Sequence, residues 1–227
     1  MTWFVIPGTG RKIIRKAIKP KMFPAKRIAV FGSAFNPPHF GHLDVIRQCE
    51  SWADLIILVP SYAHAFGKEM ALFSQRMQMV EALLNKANKS SFKKEILVSN
   101  IEQSIAKEKS KDNASIYTFD VLEAFEKIYP CDQLFFVMGP DNAKPETWNK
   151  FYKASEIEER WNIWTAKENL SIRSTNIRTY VEACLKTEKK LSIEDNKIKL
   201  KLELESMCPR SIIELIFKFK LYTNMNS

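Results

Sequence analysis

Apolar and polar positions along this 227-residue chain switch between two periods. Short, mostly apolar runs at Arg27–Gly32, Asp54–Val59, Glu95–Ser99, Gln133–Met138 and Trp161–Thr165 read as strands. Between and after them lie segments of helical period: 42–53, 73–88, 115–128, about 145–160, and from about 174. Apolar strands alternating with helix-length segments predict a parallel sheet covered on both faces. Right-handed crossovers make it a doubly wound α/β sheet whose ligand crevice lies at the carboxyl ends of the strands. The alternation Lys197–Glu205 predicts one half-buried strand, its charges forming a solvated face. Pairing of that edge between subunits, giving a homo-oligomer, is the alternative. Residues 210–221 read as a closing amphipathic helix, and no internal repeat is apparent.

These patterns divide the chain into a basic extension (1–26), one α/β domain (27–185) and a small helical and strand appendage packed on it (186–227). Charge sharpens the first boundary. Of the +9 net charge, eight Lys/Arg and no acid fall in residues 1–27, leaving 27 basic against 26 acidic residues beyond. A polynucleotide-gripping protein spreads basic charge over a folded face, so no nucleic-acid partner is expected. Residues 11–19 are too short to hold a helix alone, and a disordered tail is expected. No run approaches a membrane span, and Trp3–Ile6 is too short for a secretory apolar region. Cys49, Cys131, Cys184 and Cys208 lie far apart without a CxxC pair, and a cytoplasmic setting with reduced thiols is expected.

Two of the three histidines fall in His39-Phe40-Gly41-His42, after the first strand and the turn Gly32-Ser33-Ala34-Phe35-Asn36-Pro37-Pro38. Histidines three apart suit a metal pair or ordinary turn positions, but His64 is the only other histidine and no HExxH or Cys-rich context accompanies them. A strand end, a turn with exposed amides and a helix start carrying imidazoles favour phosphate binding. The chain has only six glycines. Gly32, Gly41, Gly67 and Gly139 sit at or after strand ends, where backbone approaches a ligand closely.

The segment Gly32–Leu43 resembles the signature of the HxGH nucleotidylyltransferases. Other segments narrow the resemblance to the nicotinate/nicotinamide mononucleotide adenylyltransferases. Val59-Pro60 with His64 and Lys68 is similar to that family's loop after the second strand. Ser115–Leu122 is similar to its helix start, and Phe136–Asp141 to its Gly-x-Asp strand end, with Trp148 beyond. Ile172-Arg173-Ser174-Thr175-Asn176-Ile177-Arg178 resembles its ISxTxIR motif, and Pro209–Tyr222 its closing helix. The resemblance covers roughly residues 27–222 in the expected order. Ser33, Ala34 and Arg173 depart from the family pattern, and the stretch between Trp161 and Ile172 is short.

The resemblance implies a Rossmann-like fold and transfer of AMP from ATP to nicotinate mononucleotide, giving deamido-NAD and pyrophosphate. His39, His42 and Arg178 are then the catalytic residues. Gly32, Ser33, Ala34, Phe35, Gly139, Asp141, Ser174 and Thr175 bind ATP, while His64, Lys68, Thr118 and Trp148 bind the mononucleotide. Mg²⁺ is carried in with ATP and needs no protein metal site. An enzyme specific for the nicotinamide form, a pantetheine-phosphate adenylyltransferase, a cytidylyltransferase and a degenerate nucleotide-binding module stand as alternatives.

Overall fold

A computed structural model describes residues 4–5, 12–13, 25–63, 70–84, 92–109, 115–130, 132–186 and 202–223. Five strands form one parallel sheet: β1 (Arg27–Ser33), β2 (Leu55–Pro60), β3 (Glu95–Val98), β4 (Gln133–Met138) and β5 (Asn162–Thr165). Their order is β3-β2-β1-β4-β5, every pair parallel. The chain thus winds outward from β1 in one direction and returns across it in the other, leaving a switch point between β1 and β4.

Burial follows from that order. Every residue of β2 and most of β1 are buried, whereas the edge strands β3 and β5 are not, so central strands read as continuous apolar runs. Successive β1 residues enter opposite layers. Ala29 and Phe31 pack with Ile56, Leu58 and Val137, under α1 (Phe40–Cys49), α2 (Phe73–Leu83), α7 (Ser174–Lys186) and α8 (Arg210–Lys218). Ile28 and Val30 pack with Ile57, Leu134 and Phe136, under α3 (Ile101–Glu108), α4 (Thr118–Ile128), α5 (Pro145–Trp148) and α6 (Ala154–Arg160). The expected doubly wound sheet, helices on both faces, is the observed fold.

Three features differ from the sequence expectations. Helix α3 follows β3 directly, a short amphipathic element that the coarse period reading passed over. Residues 202–205 are helical, not part of a strand, and the rest of the predicted strand lies outside the described residues. Both strand and helix bury Leu204, but a strand would turn Leu202 to the same face. Here Leu202 is 63% exposed and Leu204 fully buried. In the basic extension, Phe4–Val5 pairs antiparallel with Lys12–Ile13, where disorder was expected.

The last helix belongs to the core. Ile212, Ile213 and Ile216 of α8 are buried in the layer that holds Phe31 and Ile56, each contributing roughly 2 kcal/mol by leaving water. That anchoring carries the chain end back to the β1 turn.

Candidate active site

A cavity of about 250 Å³ opens at the switch point. Its floor is Phe31, Gly32 and Ser33 at the end of β1, and its first wall is His39, Gly41 and His42 on α1. The loop Gly139–Asn142 after β4 faces them, and residues 167–170 and 172–174 after β5 complete the rim.

The two imidazoles are fixed by the start of α1. His39 is the N-cap, and its Nδ1 accepts the Gly41 amide at 3.1 Å. His42 returns the contact, its Nδ1 accepting the His39 amide at 3.2 Å. Both Nδ1 lone pairs are therefore committed, which assigns the ring proton of each neutral imidazole to Nε2. Burial first, and the Arg173 charge second, hold His39 down to about 4. Burial and then His39 hold His42 well below the usual histidine range. The rings lie 3.9 Å apart between centroids, a separation that suits neutral rings and opposes double protonation. The result is a pair of neutral N–H donors, one of which, His42 Nε2, lies 3.1 Å from Ser33 Oγ. Neither ring keeps a free lone pair, so a histidine-held metal does not fit.

Gly41 leaves the His39 ring room to pack without shifting. A Cβ there would lie 3.0 Å from both Cε1 and Nδ1 of His39. The amides at the start of α1 are occupied. Phe40 N–H donates to the Met207 carbonyl, Gly41 N–H to His39, and His42 N–H to the His39 carbonyl. Any anion bound here meets imidazole donors in place of helix amides.

A second set of contacts bolts the turn 34–37 from outside. Arg178 Nη1 donates to the Asn36 carbonyl at 2.8 Å, and Ser174 Oγ to the Pro37 carbonyl at 2.8 Å. Arg76 Nη1 donates to the Ala34 carbonyl at 2.9 Å, while its Nε and Nη2 take the carbonyls of Ala71 and Tyr62. The Asn36 side-chain oxygen accepts Tyr222 Oη at 2.9 Å and the Ala71 amide at 3.2 Å. Burial lowers Arg76 to about 10 and lowers Arg178 in the same direction.

Among the sequence-predicted residues, the cavity gathers Gly32, Ser33, His39, His42, Gly139, Asp141 and Ser174. Arg178 and Thr175 contact one another at 3.2 Å beside the turn and do not line it. Ala34 offers its carbonyl to Arg76, and Phe35 is fully buried, its ring 4.8 Å from that of His42. Thr118 opens α4 away from the cavity. Trp148 is 8% exposed, stacked on Phe136, with Nε1 donating to Glu158 at 2.7 Å, and lines a separate hollow. As placed, it packs. His64 and Lys68 lie outside the described residues.

Sequence reasoning missed Asn36, Arg76 and Tyr222. One signal was present: Arg76 shares the helical stripe of Met79, Val80 and Leu83, so a cation stood at a core position of α2. Nothing local marked Tyr222, which is 186 residues from its partner.

The doubly wound sheet places the HxGH helix start, which resembles the nucleotidylyltransferase signature, at the crevice of the switch point. The cytidylyltransferase-like family model matches residues 30–180. The chain is 36% identical over 134 residues to a probable nicotinate-nucleotide adenylyltransferase of Carboxydothermus hydrogenoformans, covering 58% of this chain and 59% of that protein. It is 32% identical over 139 residues to one of Myxococcus xanthus, covering 60% and 67%. A Vibrio parahaemolyticus crystal structure assigned to the same group superposes with a TM-score of 0.63 at 32% identity, covering 88% of this chain and 97% of that one. The chain belongs to the cytidylyltransferase-like family, within its nicotinate-nucleotide adenylyltransferases.

Proposed function

We propose that the protein transfers AMP from ATP to nicotinate mononucleotide, forming deamido-NAD and pyrophosphate. The observation that carries this reading is the pair of neutral, tautomer-fixed Nε2–H donors at the switch-point cavity. The names of the relatives above support the choice of substrates.

In this reading a phosphate oxygen of the mononucleotide attacks the α-phosphorus of ATP. The new P–O bond forms as the bond to the β-phosphate oxygen breaks, and pyrophosphate leaves with the electron pair. The attacking phosphate is already anionic, so no side chain need accept a proton. What the chain contributes is position and neutralisation of charge growing on the α-phosphoryl oxygens. His39 and His42 donate Nε2–H to those oxygens, and their rings cannot drift because both Nδ1 atoms are held by backbone amides. Arg178 and Ser174 act one step back by fixing the turn, with Arg178 Nη2 and Thr175 at its edge. Mg²⁺ enters as part of the nucleotide substrate and screens the triphosphate.

Incubation with ATP, Mg²⁺ and nicotinate mononucleotide should yield equal amounts of dinucleotide and pyrophosphate. Parallel arms with nicotinamide mononucleotide and with CTP test the substrate choice. His42→Ala should lower kcat by about 10²–10³, the usual cost of one preorganised donor, while the fold is retained. Absence of any dinucleotide with the wild-type chain would refute the proposal.

A further inference from the structure

Arg173 stands where the resembled motif carries a serine, and its surroundings suggest a reason. Its Nη2 lies 2.9 Å from Asp141 Oδ2 and 2.7 Å from Glu168 Oε1. Asp141 belongs to the loop after β4 and Glu168 to the loop after β5, and all three line the cavity. One guanidinium thus spans both lips and covers two carboxylates that face the entering ligand. The side chains keep 41%, 55% and 34% exposure, so these pairs are held weakly and exchange readily. Polyphosphate offers a guanidinium better acceptors than two solvated carboxylates do, because paired N–H donors match paired phosphate oxygens.

We propose that Arg173 selects the nucleoside triphosphate: it rests on Asp141 and Glu168 in the empty cavity and passes to the β- and γ-phosphates when ATP enters. The inference rests on the reading that this cavity takes ATP. It makes Arg173 a binding residue with two duties, screening the carboxylates and gripping the polyphosphate. It also accounts for the pairing with Glu168, which would otherwise set an uncompensated anion at the mouth of an anion site.

Calorimetric titration with ATP and with AMP, followed by steady-state kinetics, tests it. Arg173→Ser should weaken ATP binding and raise the KM for ATP about tenfold, the lower range for a charged hydrogen bond at an open site. AMP affinity and the KM for the mononucleotide should each change less than about twofold, and Arg173→Lys should recover part of the loss. The Glu168→Gln variant separates selection from simple tethering. If Arg173 merely ties the lips, Glu168→Gln weakens ATP as Arg173→Ser does. If Arg173 is a resting cation, Glu168→Gln frees it and tightens ATP. Added to Arg173→Ser, it should also restore part of the affinity. Equal ATP binding by wild type and Arg173→Ser, or equal losses for ATP and AMP, overturns the inference and leaves the transferase reading standing. A wild-type chain that binds no ATP overturns both.

Discussion

Replacing Glu102 with Gln should remove a fall in stability with rising pH that this buried carboxyl imposes below neutrality. Glu102, on α3, is 7% exposed, and its Oε2 accepts the Tyr62 amide at 2.7 Å. Burial pushes its carboxyl from 4.5 up to about 7. The Tyr62 amide and Arg76 oppose the rise, and Asp120 adds to it. Between those values the folded chain keeps a proton that the unfolded chain has released, so stability falls as pH rises. The loss is complete above about pH 7. At 1.36 kcal/mol per pH unit, the interval corresponds to about 3 kcal/mol, a substantial part of a typical domain's stability. His39 works in the opposite sense. Held at about 4 against an ordinary 6.5, it adds stability that is complete above pH 6.5 and lost on acidification towards 4. His42, held down in the same direction, adds to that rising slope, and Glu102 makes the wild-type rise shallower than the histidines alone would give.

Glu102→Gln keeps an oxygen acceptor for the Tyr62 amide but cannot titrate. Any constant cost of fitting the amide group is the same at every pH. The difference in unfolding free energy between variant and wild type should therefore move by about 3 kcal/mol towards the variant from pH 4.5 to pH 8.5. With a urea m-value of about 2 kcal/mol/M, this is a relative midpoint shift of about 1.5 M. The variant should show the rising slope of the two histidines below pH 6.5 more steeply than the wild type does. An unchanged difference at the two pH values would mean that Glu102 titrates as a solvated carboxyl, and the argument from its burial would fail.

Two further substitutions probe the histidine turn. Gly41→Ala improves helix propensity by about 0.5–1 kcal/mol, yet its Cβ would press on the His39 ring at 3.0 Å. Turnover should drop at least about tenfold through misplaced donors while urea stability stays level or rises; parallel losses of both would contradict this account. Tyr222→Phe removes the 2.9 Å bond to Asn36 and leaves the Ala71 amide in place. It should cost about 1 kcal/mol in urea unfolding and lower kcat through a looser turn, and an unchanged kcat would show that the chain end is not needed for its geometry.

Much of the candidate site was legible because it is local. His39, Gly41 and His42 sit within four residues, and a capped helix start after a buried strand fixes both rings through backbone contacts at separations of two and three. Arg178 and Ser174 were legible as polar residues of the site, but not in their partners. The structure turns them towards the carbonyls of Asn36 and Pro37, more than 130 residues earlier. Trp148, expected from the resemblance to bind the mononucleotide, is packed against Phe136 and Phe151.

By itself, the sequence determined the layered architecture and the place of the crevice. Apolar periodicity reports which positions must leave water, a demand each short segment states for itself. Only the tertiary structure decided which donors the cavity presents. Buried carbonyls and amides must find partners wherever the packed chain brings them. Here that requirement took the α1 amides out of play, drew Arg76, Arg178 and Tyr222 onto the turn, and left imidazole N–H groups and Arg173 facing the cavity.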